Sequence, residues 1–263
     1  MDSTDQTSVS ATPETQQSQT LPGGEHGADV PELLDAQLGT LFGGYRAEWL
    51  GERLFELFTT PSYFPELMTP RPCVLMGGRG TGKTTILRCL SYAGQFALSG
   101  QKSEVVANWP FYGMYYRVNT NRVTAFRGPE LDERGWQRHF AHYMNLELCD
   151  LALQFLAWYQ INRPEAQTLS SAACIAVATS LNLDRVDSVR ELADAVVHAR
   201  LRFEAIINNI GDEGSAPGLS MQGVPIDLLF SYICQLPQFH GRRFFFLIDE
   251  YENFEDYQQE VVN

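Results

Sequence analysis

Gly77-Gly78-Arg79-Gly80-Thr81-Gly82-Lys83-Thr84 satisfies G-x-x-x-x-G-K-[ST], the Walker A or P-loop pattern. Glycine lacks the Cβ that keeps other residues out of left-handed backbone, so the chain curls and successive N–H groups converge on one point. A helix beginning near Lys83 adds the partial positive charge of its N-terminus. Lys83 then reaches the β- and γ-phosphates of a nucleotide, and the Thr84 hydroxyl ligates Mg²⁺. The competing reading is a chance glycine-rich turn. The flanks argue against it: the apolar run Cys73-Val74-Leu75-Met76 reads as a buried strand, and residues 84–98 read as a helix ended near Gly100.

A second apolar run, Phe244-Phe245-Phe246-Leu247-Ile248, ends at Asp249-Glu250. With no polar position, this strand needs both faces buried, as at the centre of a parallel sheet. Acids at the carboxyl end of such a strand sit where open α/β sheets bind ligands. Asp249 is placed to hold Mg²⁺, mostly through water, and Glu250 to polarise an attacking water. The alternative is a strand end followed by a solvated acidic turn containing Glu252, Glu255 and Asp256.

The rest of the chain bounds these readings. Its 263 residues allow one large domain or one domain with a sizeable insertion. Hydrophobic residues make up 44%, enough for a core, and the net charge is −13, which disfavours stand-alone binding to a polyanion. Residues 1–30 contain five acids and no Lys or Arg, and read as a disordered acidic tail. No signal peptide or bilayer-length apolar run is present, and the five cysteines form no C-x-x-C pair. A cytoplasmic protein with reduced thiols is expected, with neither a zinc site nor a membrane association.

Between the two motifs the pattern is mainly helical. Residues 45–58 are helix-like up to Pro61, and a strand is expected at 113–118. Residues 122–236 read as a large helical insertion within a P-loop domain spanning 31–263. Trp136, Phe140 and Tyr143 share one helix face, and Val189, Leu192, Val196, Ala199, Phe203 and Ile206 another. The second stripe fits a helix packed on its own domain better than a coiled-coil seam. Residues 211–218 break the helices.

Together the two motifs resemble those of P-loop NTPases with an additional-strand catalytic glutamate. The segments Tyr45-Arg46-Ala47-Glu48-Trp49, Gly78 to Thr85, and Leu247-Ile248-Asp249-Glu250-Tyr251-Glu252-Asn253 resemble bacterial AAA+ ATPases related to origin-recognition initiators and STAND ATPases. That resemblance implies a three-layer α/β/α core with a parallel sheet. It also implies ATP and Mg²⁺ as ligands, with Gly77, Gly78, Arg79, Gly80, Thr81, Gly82, Lys83, Thr84 and Thr85 around the nucleotide. Metal ligation falls to Thr84 and Asp249, and catalysis to Lys83 and Glu250. The family's activity is ATP hydrolysis driving a switch or an assembly, in settings such as antiviral defence or DNA transactions. A binding module without turnover is the alternative. Partners are then a second copy of the chain or another protein at the helical insertion. Asn119 or Asn121 is in position for the family's glutamate-switch residue, or is a turn asparagine. Thirteen residues follow Glu250, fewer than a sensor strand, arginine finger and lid require, so the AAA+ module is expected to be incomplete at its C-terminus.

Other signals carry less. Leu98-Ser99-Gly100-Gln101 and Leu219-Ser220-Met221-Gln222-Gly223 are poor matches to an ABC signature and read as loops. With only Lys83 and Lys102 in the chain, an N-K-x-D guanine-reading element is absent, which favours adenine. Arg117, Arg122, Arg127, Arg134 and Arg138, interleaved with Tyr115, Phe126, Trp136 and Phe140, form either a nucleic-acid patch or a surface helix with packed aromatics. The histidines lack metal-ligand spacing.

Overall fold

The computed structural model describes residues 50–51, 53–210 and 218–263. The expected tail at 1–30, the whole 45–49 segment and all of the 211–218 loop except Gly218 lie outside these residues. In chain order the elements are α1 (Arg53–Glu56), α2 (Phe64–Leu67), α3 (Lys83–Leu90), α4 (Tyr92–Leu98), α5 (Ser103–Val106), β1 (Phe111–Arg117), α6 (Thr120–Val123), α7 (Glu133–Asn162), α8 (Ser171–Ser180), α9 (Val189–Asn208), α10 (Val224–Ile233), β2 (Arg243–Asp249) and α11 (Asp256–Val262).

β1 and β2 pair in parallel, Phe111 opposite Arg243 and Arg117 opposite Asp249. Side chains alternate along a strand, so Tyr112, Met114 and Tyr116 share a face with Phe244, Phe246 and Ile248. This face joins the main core, which α7, α9 and α10 also build. On the opposite face Phe111, Phe245 and Leu247 meet Ile86 and Leu90 of α3. Gly113 permits the close approach of α3: a Cβ there would stand 2.5 Å from the Leu90 carbonyl oxygen and 2.6 Å from Leu247 Cδ1. The result is an α/β arrangement with helices on both faces of a parallel pair.

Three expectations need correction. Residues 73–76 form no strand; Val74 and Met76 are 83% and 87% exposed, and only Leu75 turns into the smaller core. Extended chain becomes sheet only where a neighbour takes its N–H and C=O groups, and no described strand lies beside this one. β2 is likewise not a buried centre. Among the described residues it pairs with β1 alone, and residues 244–248 are half-buried, whereas most of β1 is buried. Finally, residues 84–98 are two helices. Ser91 is extended (ψ 156°) and its hydroxyl accepts from the Gly94 N–H at 3.1 Å, capping α4.

Of the helix read at 45–58, only Arg53–Glu56 is helical among the described residues, while the two apolar stripes read between the strands do lie on helices. α7 runs for 30 residues, capped by Asp132 accepting from Gly135 N–H, and buries Trp136, Phe140 and Tyr143. α9 packs Leu192, Val196 and Phe203 into the same core, as expected of a helix packed on its own domain. Arg200 of α9 contacts Glu147 at 3.2 Å and Asp150 at 3.4 Å, both buried on α7. Arg122 of α6 reaches Glu147 at 3.3 Å and Glu204 at 3.4 Å. Thus the turn directly after β1 is fastened to α7 and α9. All five cysteines are free, and burial pushes the Cys89 thiol up to about 12. No described helix is long and apolar enough to cross a membrane.

Candidate functional site

The glycine-rich loop curls as its composition demands. Gly80 and Gly82 sit at φ +83° and +85°, where a side chain is strained. Lys83 folds back into the curl, its Nζ donating to the Gly77 carbonyl at 2.6 Å and the Gly78 carbonyl at 3.2 Å. The Thr81 hydroxyl also donates to the Gly78 carbonyl, at 2.9 Å. Gly82 precedes α3 in the left-handed conformation, and Thr84 and Thr85 fall in the first turn of that helix. Gly77 to Thr81 are exposed and Gly82 to Thr85 half-buried, so the loop is open to an incoming anion.

At the end of β2, Asp249 is only 3% exposed and both of its oxygens are engaged. Oδ2 accepts from the Tyr115 hydroxyl at 2.8 Å, and Oδ1 from the Glu250 N–H at 3.1 Å. Burial, and then the bond to Asp249, push the Tyr115 phenol well above its ordinary pKa, so it remains a donor. Glu250 takes φ +60°, a left-handed conformation uncommon for a residue with a side chain, where β2 gives way to a 3₁₀ turn at Tyr251–Asn253. Its Oε1 accepts from Arg117 at 2.7 Å and its Oε2 from Asn253 Nδ2 at 3.3 Å.

β1 therefore supplies one partner to each acid, from two positions on one face of the strand. Neither Tyr115 nor Arg117 was assigned this role from sequence, which placed both in a candidate nucleic-acid patch. Their partners lie 134 and 133 residues away, and only the strand register brings them together. Asn119 does not pair with Glu250; its side chain caps α6, accepting from Arg122 N–H at 3.3 Å. Three of the four aromatics of that patch belong to the core. Phe126, Trp136 and Phe140 are buried, while Arg117, Arg122 and Arg127 are all in ion pairs. Thr84, Tyr115 and Arg117 line one cavity, so the start of α3 and the partners of both acids open onto common space.

The donor set fits Mg²⁺ only in company with phosphate. Among the described residues no three His, Cys, Asp or Glu side chains cluster as a metal cage. Mg²⁺ is suited to one or two protein oxygens, with water and phosphate completing its octahedron. The Thr84 hydroxyl and the Asp249 carboxylate are oxygens of that kind.

A family model for ORC-CDC6-like proteins matches residues 40–263. The chain therefore belongs to the ORC-CDC6-like family and is related to AAA+ P-loop NTPases of the ORC/CDC6 type. No curated protein and no solved structure matches it.

Proposed function

We propose that the chain binds ATP with Mg²⁺ at Gly77 to Thr85 and hydrolyses it, with Asp249 and Glu250 at the reacting end, as a nucleotide-driven switch or assembly motor. Backbone N–H groups of the loop and the start of α3 hold the phosphates, and Lys83 exchanges its carbonyl partners for phosphate oxygens. Thr84 and Asp249 would hold Mg²⁺, which would supply positive charge against that developing on the phosphates. Glu250 orients and deprotonates the attacking water. The observation that carries this reading is the pairing of the curled, lysine-filled loop with two adjacent acids at a strand's carboxyl end.

One observation favours a second mode. Glu250 is held by Arg117, so in this state the base is occupied. A chain that binds ATP but turns it over only when that pair opens is a gated module, and partners at the helical region between β1 and β2 are the means of opening it. Defence against mobile elements or DNA transactions would suit either mode.

Mg²⁺-ATP binding and phosphate release, measured together for the wild type, Lys83→Ala and Glu250→Gln, test the proposal. Binding lost in Lys83→Ala, with turnover lost and binding kept in Glu250→Gln, supports an ATPase. Binding with no turnover in the wild type supports the gated module. Unchanged affinity and activity in Lys83→Ala sinks the assignment of the loop.

A further inference from the structure

Asp249 is buried and its carboxylate is held from two directions. The Tyr115 hydroxyl donates to Oδ2 at 2.8 Å, and the Glu250 N–H donates to Oδ1 at 3.1 Å. Among the described residues no other side chain donates to this group. We infer that Tyr115 is a positioning residue whose hydroxyl fixes the orientation of Asp249, and that this makes the metal position selective for Mg²⁺ over larger divalent cations. The inference rests on the proposed function, in which Thr84 and Asp249 would hold the metal.

Strand register is the first argument. Tyr115 stands opposite Leu247, and Arg117 opposite Asp249. Alternation therefore puts Tyr115 and Asp249 on the face that carries Phe111, Phe245 and Leu247, where α3 packs. α3 has Thr84 in its first turn, and Thr84 and Tyr115 line common space. The phenol thus meets Asp249 on the same side of the sheet as the other oxygen proposed to hold the metal.

The second argument is what two donors do to a carboxylate. Such a group has about four acceptor positions on its two oxygens. With one donor on each oxygen, rotation breaks both bonds, so the positions left open keep fixed directions. Mg²⁺ demands near-ideal octahedral geometry at about 2.0–2.1 Å, whereas Ca²⁺ accepts about 6–8 oxygens at about 2.3–2.6 Å in flexible arrangements. A fixed carboxylate favours the stricter ion, and one free to turn favours the tolerant ion. The plain alternative is that the hydroxyl only satisfies a buried oxygen. That role would alter stability and leave the preference between ions unchanged.

The test measures the affinity of the whole chain for adenosine 5′-(β,γ-imido)triphosphate, a slowly hydrolysed ATP analogue, by calorimetry in EDTA, in Mg²⁺ and in Ca²⁺. The readout is the gain in affinity that each ion gives over EDTA, which needs no turnover. In the wild type the Mg²⁺ gain is expected to exceed the Ca²⁺ gain at least about tenfold. Tyr115→Phe deletes the hydroxyl and keeps the ring, and should cut the Mg²⁺ gain about tenfold, as loss of a partner behind a metal ligand does. Its Ca²⁺ gain should fall less than about threefold, and its affinity in EDTA should stay within about twofold of the wild type. Asp249→Asn should cut the Mg²⁺ gain at least as far, and adding Tyr115→Phe to it should subtract nothing more. Circular dichroism verifies each fold, and Tyr115→Leu takes the place of Tyr115→Phe if that variant is misfolded. Four results overturn the inference while nucleotide binding stands: equal losses with both ions, no loss with either, a wild type without preference for Mg²⁺, or a further loss in the double variant. A wild type that binds no analogue under any condition overturns the nucleotide reading, and this inference with it.

Discussion

Replacing Arg117 by Gln should speed the chain up. The Arg117–Glu250 contact is short at 2.7 Å, but the two side chains are 44% and 32% exposed, so water screens the attraction. Part-solvated pairs of this kind hold with about 0.5–1 kcal/mol. If that energy restrains the base, removing it raises the population of free Glu250, and with it kcat, about two- to fivefold. Asn253 still donates to the other oxygen of Glu250, which keeps the carboxylate near its place. The assay is steady-state phosphate release at saturating Mg²⁺-ATP, with ATP affinity measured separately by calorimetry. Affinity should not change, and Glu250→Gln should abolish turnover in both backgrounds. Added salt should narrow the difference between wild type and variant, because it weakens the pair before any substitution is made. A fall in kcat toward the Glu250→Gln level would refute the reasoning, since Arg117 would then be aiding the reaction instead of restraining its base. An unchanged kcat would show that the contact carries no weight.

Other outcomes follow from the packing. Arg200→Ala strips a cation from between buried Glu147 and Asp150, and should cost about 3–5 kcal/mol in denaturant titration, partly recovered by adding Glu147→Gln. Gly113→Ala forces a methyl against the Leu90 carbonyl and Leu247, and should lower stability by about 1–3 kcal/mol, read as a drop in Tm of roughly 2–4 °C per kcal/mol. His142 is buried, and its Nδ1 accepts from the Ser220 N–H at 3.1 Å; burial, and then His139, lower its pKa to about 4. The unfolded chain therefore binds the extra proton between about pH 6.5 and pH 4, so this contribution is complete above pH 6.5 and is lost as pH falls through that window. Denaturation of wild type and His142→Gln should diverge there, and parallel curves would remove His142 as the cause. Lys83→Ala should weaken ATP binding at least about tenfold by calorimetry, because the loop then lacks its only ammonium.

Much of the site is legible in the sequence because its chemistry is local. The loop needs its glycines, Lys83 and Thr84 in consecutive order, and Asp249-Glu250 needs only a strand end. The helices between the strands are equally plain, since Trp136, Phe140 and Tyr143 repeat with helical spacing and are buried as that spacing requires. What the sequence does not contain is adjacency. Cys73-Val74-Leu75-Met76 has strand composition, but composition cannot supply a neighbouring strand. The Phe-rich run of β2 looks like a sheet centre, yet its burial depends on what lies along its other edge. Arg117 reads as one base among five until the register sets it beside Glu250. The break at Ser91 turns on a single serine choosing an extended backbone, which helical periodicity on both sides conceals.

The distance along the chain between each acid and its β1 partner sets an order of assembly. Tyr115 meets Asp249, and Arg117 meets Glu250, across more than 130 residues of intervening chain. Closing a loop of that length before anything rewards it is slow, and parallel strands have no short turn to guide them. α7 and α9 are nearer in sequence and share a core, so their docking shortens the path and delivers β2 to β1. The glycine loop and α3, by contrast, are complete within a few residues of one another. The proposed phosphate cradle is thus complete in a chain still being made, while the acids acquire their partners only after the helices have condensed. A lesion deep in α7 or α9, far from the glycine loop, is therefore expected to spare the proposed cradle and silence the proposed chemistry.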